Sequence, residues 1–172
     1  SDYVPFFVKL QKHTGDQDSY ARDQRLSLYS RLLFPKAHAE VYFEYGLNDN
    51  AYDFRDFLGS PDHGRAYLFG LSKIISFDNR RQYIFVNTEF TQLSQTMDRL
   101  VRNAGSFYQH GEITQGYTQH GQTIGAGPGT GDNVQGLQIK WFNGMNSLGL
   151  LFQRIERNVD FYDMFVGDFN GL

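Results

Sequence analysis

The chain has 172 residues, a formal net charge of −3 and no cysteine. These values exclude a disulfide framework and a thiolate metal site, argue against a nucleic-acid binder with its usual basic face, and leave room for one domain with a sizeable core. Aromatic residues make up 16% of the chain, 18 residues are glycine, and the mean hydropathy is −0.50, a balance shared by soluble β domains and by membrane β-barrels, whose alternating strands average out as polar.

No apolar run approaches the roughly 20 residues of a membrane-spanning helix. Ser1 opens into DYVPFFVKL, which has neither the basic flank nor the long apolar core of an export leader. The first clear element is RLSLYSRLLF at 25–34. Leu26, Leu28, Ser30, Leu32 and Phe34 share one face, with Arg25, Ser27, Tyr29 and Arg31 opposite. A tight link at Pro35–Ala37 leads to 38–46, where Ala39, Val41, Phe43 and Tyr45 oppose Glu40, Tyr42 and Glu44. After the long connection Asn48–Gly64, the segment 65–76 sets Tyr67, Phe69 and Leu71 against Ala66, Leu68, Gly70 and Ser72. A tight turn at Asp78–Arg81 leads to 82–91, with Ile84, Val86, Thr88 and Phe90 against Phe85, Asn87 and Glu89. The connection Gln92–Asn133 is very long, and its QLSQTMDRLVRNAG has Leu93, Met97, Leu100 and Val101 about one helical turn apart, open to a short helix or to irregular loop. At 134–142, Leu137, Ile139 and Trp141 oppose Gly136, Gln138 and Lys140; NGMN then makes a glycine-centred hairpin into 147–156. YVPFFVKL and FYDMFVGDF would raise six strands to eight, about the fewest that close a membrane barrel.

These period-2 patterns predict strands. Alternation alone leaves a soluble sandwich and a membrane barrel both open, because a sandwich turns its charged face to water and a barrel turns it to a wet lumen. Loop lengths separate the two. They run short, long, short, long, short, the pattern of outer-membrane barrels with short periplasmic turns and long extracellular loops. The expected fold is therefore all-β: an antiparallel outer-membrane β-barrel, one unit over 1–172. Arg31, Glu40, Glu44, Glu89 and Lys140 should share the lumen side, leaving the lipid face free of charge.

The glycine run in YTQHGQTIGAGPGTGDNVQ fails as a phosphate cradle. Gly131 is followed by Asp132 and Asn133 rather than by Lys and Ser or Thr, and neither Gly125 nor Gly127 starts a dinucleotide fingerprint. It reads as backbone that folds tightly on itself or lies against a flat ligand. His38, His63, His110 and His120 are scattered, without the i, i+4 spacing of a helical metal site. Asp49, Asp53, Asp56 and Asp62 lack the alternate spacing of a calcium loop. Neither a carboxylate pair for glycoside hydrolysis nor a serine elbow is recognisable, so no enzyme, cofactor or metal is expected. Loop aromatics among amides and charges suit sugars, whose C–H faces lie on rings while their hydroxyls meet amides, carboxylates and Arg. The expected sugar-binding residues are Tyr52, Arg55, Tyr108, His110, Tyr117 and His120; the alternative is that these loop aromatics pack the loops against one another.

Two stretches, VYFEYGLNDNAYDFRDFLGSPDHGRAYLFGLSK and HGQTIGAGPGTGDNVQGLQIKWF, resemble the outer-membrane capsule assembly proteins of the Wzi type. The first carries an aromatic-Glu-aromatic-Gly unit, Asn-Asp, and PDHGRAYLFGL opening the returning strand. The second carries a His-Gly-Gln-x-Ile-Gly-Ala-Gly loop, with Gly127-Pro128-Gly129-Thr130 where Gly-Pro-Gly-Ser is usual. The likeness runs from about Arg25 to Tyr162. It implies a large single-chain β-barrel in the outer membrane of a Gram-negative bacterium, a lectin that binds capsular polysaccharide at the cell surface and helps its assembly or anchoring. The partners it implies are capsular or other surface polysaccharide, outer-membrane lipid and other envelope proteins, with no nucleic acid. A soluble β-sandwich glycan-binding module is the alternative. The family's barrel is far longer than this chain, so the resemblance implies a barrel segment, incomplete at both ends.

Overall fold

The computed structural model describes residues 25–48, 63–77, 81–96, 105–109 and 116–166. Strands β1 (Arg25–Phe34), β2 (Ala39–Asn48), β3 (Arg65–Ser76), β4 (Gln82–Gln92), β7 (Asn133–Asn143) and β8 (Asn146–Glu156) form one six-stranded sheet in that order. Every neighbouring pair is antiparallel. Between β4 and β7 lies a two-stranded ribbon, β5 (Thr118–Gln119) with β6 (Gln122–Thr123). A short helix, α1 (Val159–Phe165), follows β8. The long strands run 10 to 12 residues, against the roughly 9–11 that a tilted strand needs to cross a bilayer.

The turns explain where the strands stop. Pro35 has no N–H for the ladder, so β1 ends in one 3₁₀ turn; His38 then sits in the left-handed region at φ 47° and its N–H donates to the Pro35 carbonyl at 3.2 Å. At the last hairpin, Asn143 faces Asn146 across Gly144 and Met145. Gly144 has φ 60° and Met145 is not left-handed, the demand of a type II′ turn, whose twist matches that of the strands. The strand ends joined from β1 to β2, β3 to β4 and β7 to β8 lie at one end of the sheet, and those joined from β2 to β3 and β4 to β7 at the other.

Register fixes the faces, because residues directly opposite in an antiparallel pair point the same way. Arg31 lies opposite Tyr42, between Glu40 and Glu44. Glu44 faces Leu68, Gly70 faces Glu89, and Phe85 faces Lys140. All five charges expected on one side are therefore on one side. The other face presents Leu28 and Leu32, Val41 and Phe43, Phe69 and Leu71, Ile84 and Val86, Ile139 and Trp141, Leu148 and Leu150. That face is bare: Leu148 is 71%, Leu28 65% and Leu150 62% exposed. In water so large an apolar surface drives association; against lipid it is the natural outer wall of a barrel. No second layer covers it among the described residues. The fold is an antiparallel barrel wall, and no strand pair joins its β1 and β8 edges among the described residues.

Three outcomes are instructive. FYDMFVGDF does not extend a strand, since its first part is α1. Asn158 turns left-handed at φ 49°, the Val159 N–H bonds to the Gly131 carbonyl at 3.0 Å, and the buried Asp160 carboxylate accepts the Gln95 N–H at 2.7 Å. These anchors pull the chain off the sheet, and its aromatics also sit at helical spacing. Second, the apolar face is not free of charge. Lys73 lies on it at the turn end, with Nζ donating to the Ala37 carbonyl at 2.9 Å, and Arg65, Arg154 and Glu156 lie on it at the loop end. A long stem along apolar surface with its head at the rim is ordinary for lysine. Third, Leu93–Thr96 within QLSQTMDRLVRNAG is not helical; 97–104 and YVPFFVKL lie outside the described residues.

Candidate functional site

The polar face carries a ladder of side-chain hydrogen bonds along its middle. Arg31 Nε donates to Glu40 Oε2 at 3.0 Å, as part of an ion pair, and the Ser27 hydroxyl donates to Glu44. The Tyr42 hydroxyl donates to Glu89 Oε2 at 2.7 Å, and Asn87 Nδ2 donates to Ser72 Oγ at 3.0 Å. Tyr42 reaches across because Gly70 is beneath it: a Cβ there would stand 2.0 Å from the ring.

At the loop end, the longest connection folds back onto this face. Phe107 is buried with Ala66 and Leu93, and its ring would lie 3.0 Å from a Cβ on Gly46. Tyr108 is held left-handed at φ 72° and makes an edge contact with Phe107, ring centroids 4.8 Å apart. Its other neighbour is Tyr117, stacked at 6.1 Å and 15°. Arg25, at the start of β1, places its guanidinium 4.6 Å from the Tyr117 centroid and 5.4 Å from that of Tyr108; Arg25 Nε donates to Asn48 Oδ1 at 3.0 Å. Cation–π contacts of this kind gain strength when shielded from water. Under these rings opens a cavity of about 490 Å³, lined by Arg25, Leu68, Phe107, Tyr108, Tyr117 and Gly125 among others. That is within the range of about 300–1,000 Å³ usual for ligand pockets, and its largely apolar wall with a few polar groups is their usual make-up.

The glycine run closes this cavity. Gly125 lies against Tyr108, where a Cβ would come within 2.4 Å of the ring, and the Tyr108 hydroxyl accepts the Ala126 N–H at 3.0 Å. Gly131, at φ 66°, packs on Asp160. At Gly125 and Gly131 the bare backbone is thus used for close packing on the protein's own side chains, whereas Gly127 and Gly129 face open space. Asp132 finishes the run, with Oδ1 accepting the Asn158 N–H at 2.8 Å and its carbonyl accepting the Leu93 N–H at 3.0 Å.

Of the six expected site residues, Tyr108 and Tyr117 are brought together. His120 stands apart, exposed and left-handed at the tip of the β5–β6 ribbon. Tyr52, Arg55 and His110 lie outside the described residues. Sequence reading missed Arg25 and Phe107. Arg25 had one available signal, a charge on the polar face at the loop end of its strand; Phe107 had none, since nothing local says that a loop aromatic turns inward. Among the described residues no cluster of His, Asp and Glu is suited to a metal, and no helix is long and apolar enough to cross a membrane.

A family model described as capsule assembly protein Wzi matches residues 2–167. No curated protein matches the chain, and no solved structure does.

Proposed function

The chain belongs to the family of the capsule assembly protein Wzi, a family of outer-membrane β-barrels with a role in capsule assembly, and from that premise we propose that it binds capsular or other surface polysaccharide and helps assemble or anchor it at the surface of a Gram-negative cell. It acts as a lectin in the outer membrane, with its loop end outward, and not as an enzyme. The observation that carries this reading is the cavity under Tyr108, Tyr117 and Arg25. Flat rings beside a guanidinium suit the apolar faces and hydroxyls of sugars, and an open site repeated along a polymer gains affinity from many weak contacts. In this reading the loops 47–64 and 106–133 form one surface presenting Tyr52, Arg55, Tyr108, His110, Tyr117 and His120. The unit over 1–172 is one segment of a larger barrel whose remaining strands complete the wall.

The test is capsule retention on cells, alongside binding of purified polysaccharide to the detergent-solubilised protein. Tyr117→Ala should weaken binding modestly. Adding Arg55→Ala should weaken it strongly while the barrel still folds. A double variant that retains capsule and binds as the parent does would remove this surface as the sugar site.

A further inference from the structure

Resting on the polysaccharide reading above, we propose that the inner wall of the barrel carries a second sugar station below the mouth, one that takes uncharged, hydroxyl-rich units at the end of a glycan chain. The mouth cavity adjoins a second cavity of about 410 Å³ on the polar face, and Glu44 and Leu68 line both. The two form a continuous strip running from Tyr117 at the loop end to Glu89 and Asn87 in mid-wall.

The chemistry of the strip is that of a sugar site. Leu68 and the Tyr42 ring offer apolar surface for C–H faces. Glu44 and Glu89 each have about four acceptor positions, of which Ser27 and Tyr42 take one apiece. Asn87 adds an amide that is already oriented by its bond to Ser72. The donors and acceptors are therefore set in place before a ligand arrives, which lowers the ordering cost of binding.

Charge selects the ligand. Arg31 neutralises Glu40, whereas Glu44 and Glu89 bond to hydroxyls rather than to cations. An acidic sugar would meet two carboxylates there, so the station favours neutral units. The mouth, with Arg25, has no such bias. Access selects the chain end. Phe107 and Tyr108 lie over the wall at the mouth, and an internal segment would have to pass them twice, an end only once.

The experiment uses size-fractionated fragments of the producing strain's capsule, before and after oxidation of their primary hydroxyls to carboxylates, titrated into the detergent-solubilised protein. Leu68→Trp fills the junction of the two cavities. It should weaken the shortest fragments about tenfold or more, equivalent to about 1.4 kcal/mol, while Tyr117→Ala weakens short and long alike. Glu44→Gln with Glu89→Gln keeps size and should abolish the preference for unoxidised fragments. If Leu68→Trp binds short fragments as the parent does and Tyr117→Ala does not, the inner station is overturned and the mouth reading stands. If neither variant changes binding, both fall. Should Leu68→Trp run on gels as an unfolded chain, the double glutamine variant decides: an unchanged preference for unoxidised fragments rejects the station.

Discussion

Two glycines show how single residues position the polar wall. Gly70 leaves the only space in which Tyr42 can lie across the sheet and reach Glu89. Gly70→Ala pushes the far end of that flexible side chain away, which breaks the hydrogen bond without moving backbone. The expected cost is about 1–3 kcal/mol, the usual range for a partly buried polar group that loses its partner. In a Tyr42→Ala background the same substitution should cost far less, and a double-mutant cycle in urea-induced unfolding measures the difference. Gly125 plays the matching role at the mouth. There, Gly125→Ala displaces Tyr108 and its bond from Ala126. Loss of glycan binding with unaltered unfolding is the expected result; binding at the parent's level would mean that Tyr108 does not shape the site.

At the scale of the strand, the two faces make opposite predictions for one substitution. Leu150 lies opposite Ile139 on the apolar face, and Gln138 lies opposite Asn87 on the polar one. Leu150→Arg should destabilise the barrel in phospholipid vesicles by about 2–4 kcal/mol, as for a basic residue near mid-bilayer, whereas Gln138→Arg should cost little because the lumen is wet. Equal costs at the two positions would undo the assignment of faces. The faces were readable in the sequence because strand periodicity is strict: a slip of one residue in β1 would have sent Leu28 and Leu32 to the wrong side together. All six strands were placed with ends within two residues. The helix α1 was only partly readable: its aromatics sit at helical spacing, but Asp160 and Gln95 are far apart in sequence and only the folded chain joins them. The same holds for Phe107, whose burial depends on Gly46 of β2 and Ala66 of β3. Lys73 shows the limit of counting charges by face, since its place at the rim depends on where the turn at Ala37 falls.

Across the molecule, one polar knot holds the loop end together, and it links the wall to the candidate site. Asp160 receives the Gln95 N–H, Asp132 receives the Asn158 N–H, and Asn133 Oδ1 receives the Ser94 N–H at 3.3 Å. The start of the longest connection, the end of the glycine run and the start of α1 thus meet where β4 and β8 finish and β7 begins. Both aspartates are buried, at 1% and 4% exposure, so their removal leaves backbone N–H groups without partners in a closed space. The β-ladders do not pass through the knot. Asp160→Ala should therefore loosen the connection between β4 and β7 while the sheet remains paired. The expected signs are faster proteolytic nicking within 93–132, weaker glycan binding as the Tyr108–Tyr117 cavity loses its support, and a barrel that still shows heat-modifiable migration on gels. Asp160→Asn keeps an acceptor for the Gln95 N–H and should fall between the two. If Asp160→Ala is nicked no faster than the parent, the knot does not brace the mouth. If it unfolds the barrel outright, the loop end carries stability that the ladder alone was expected to supply.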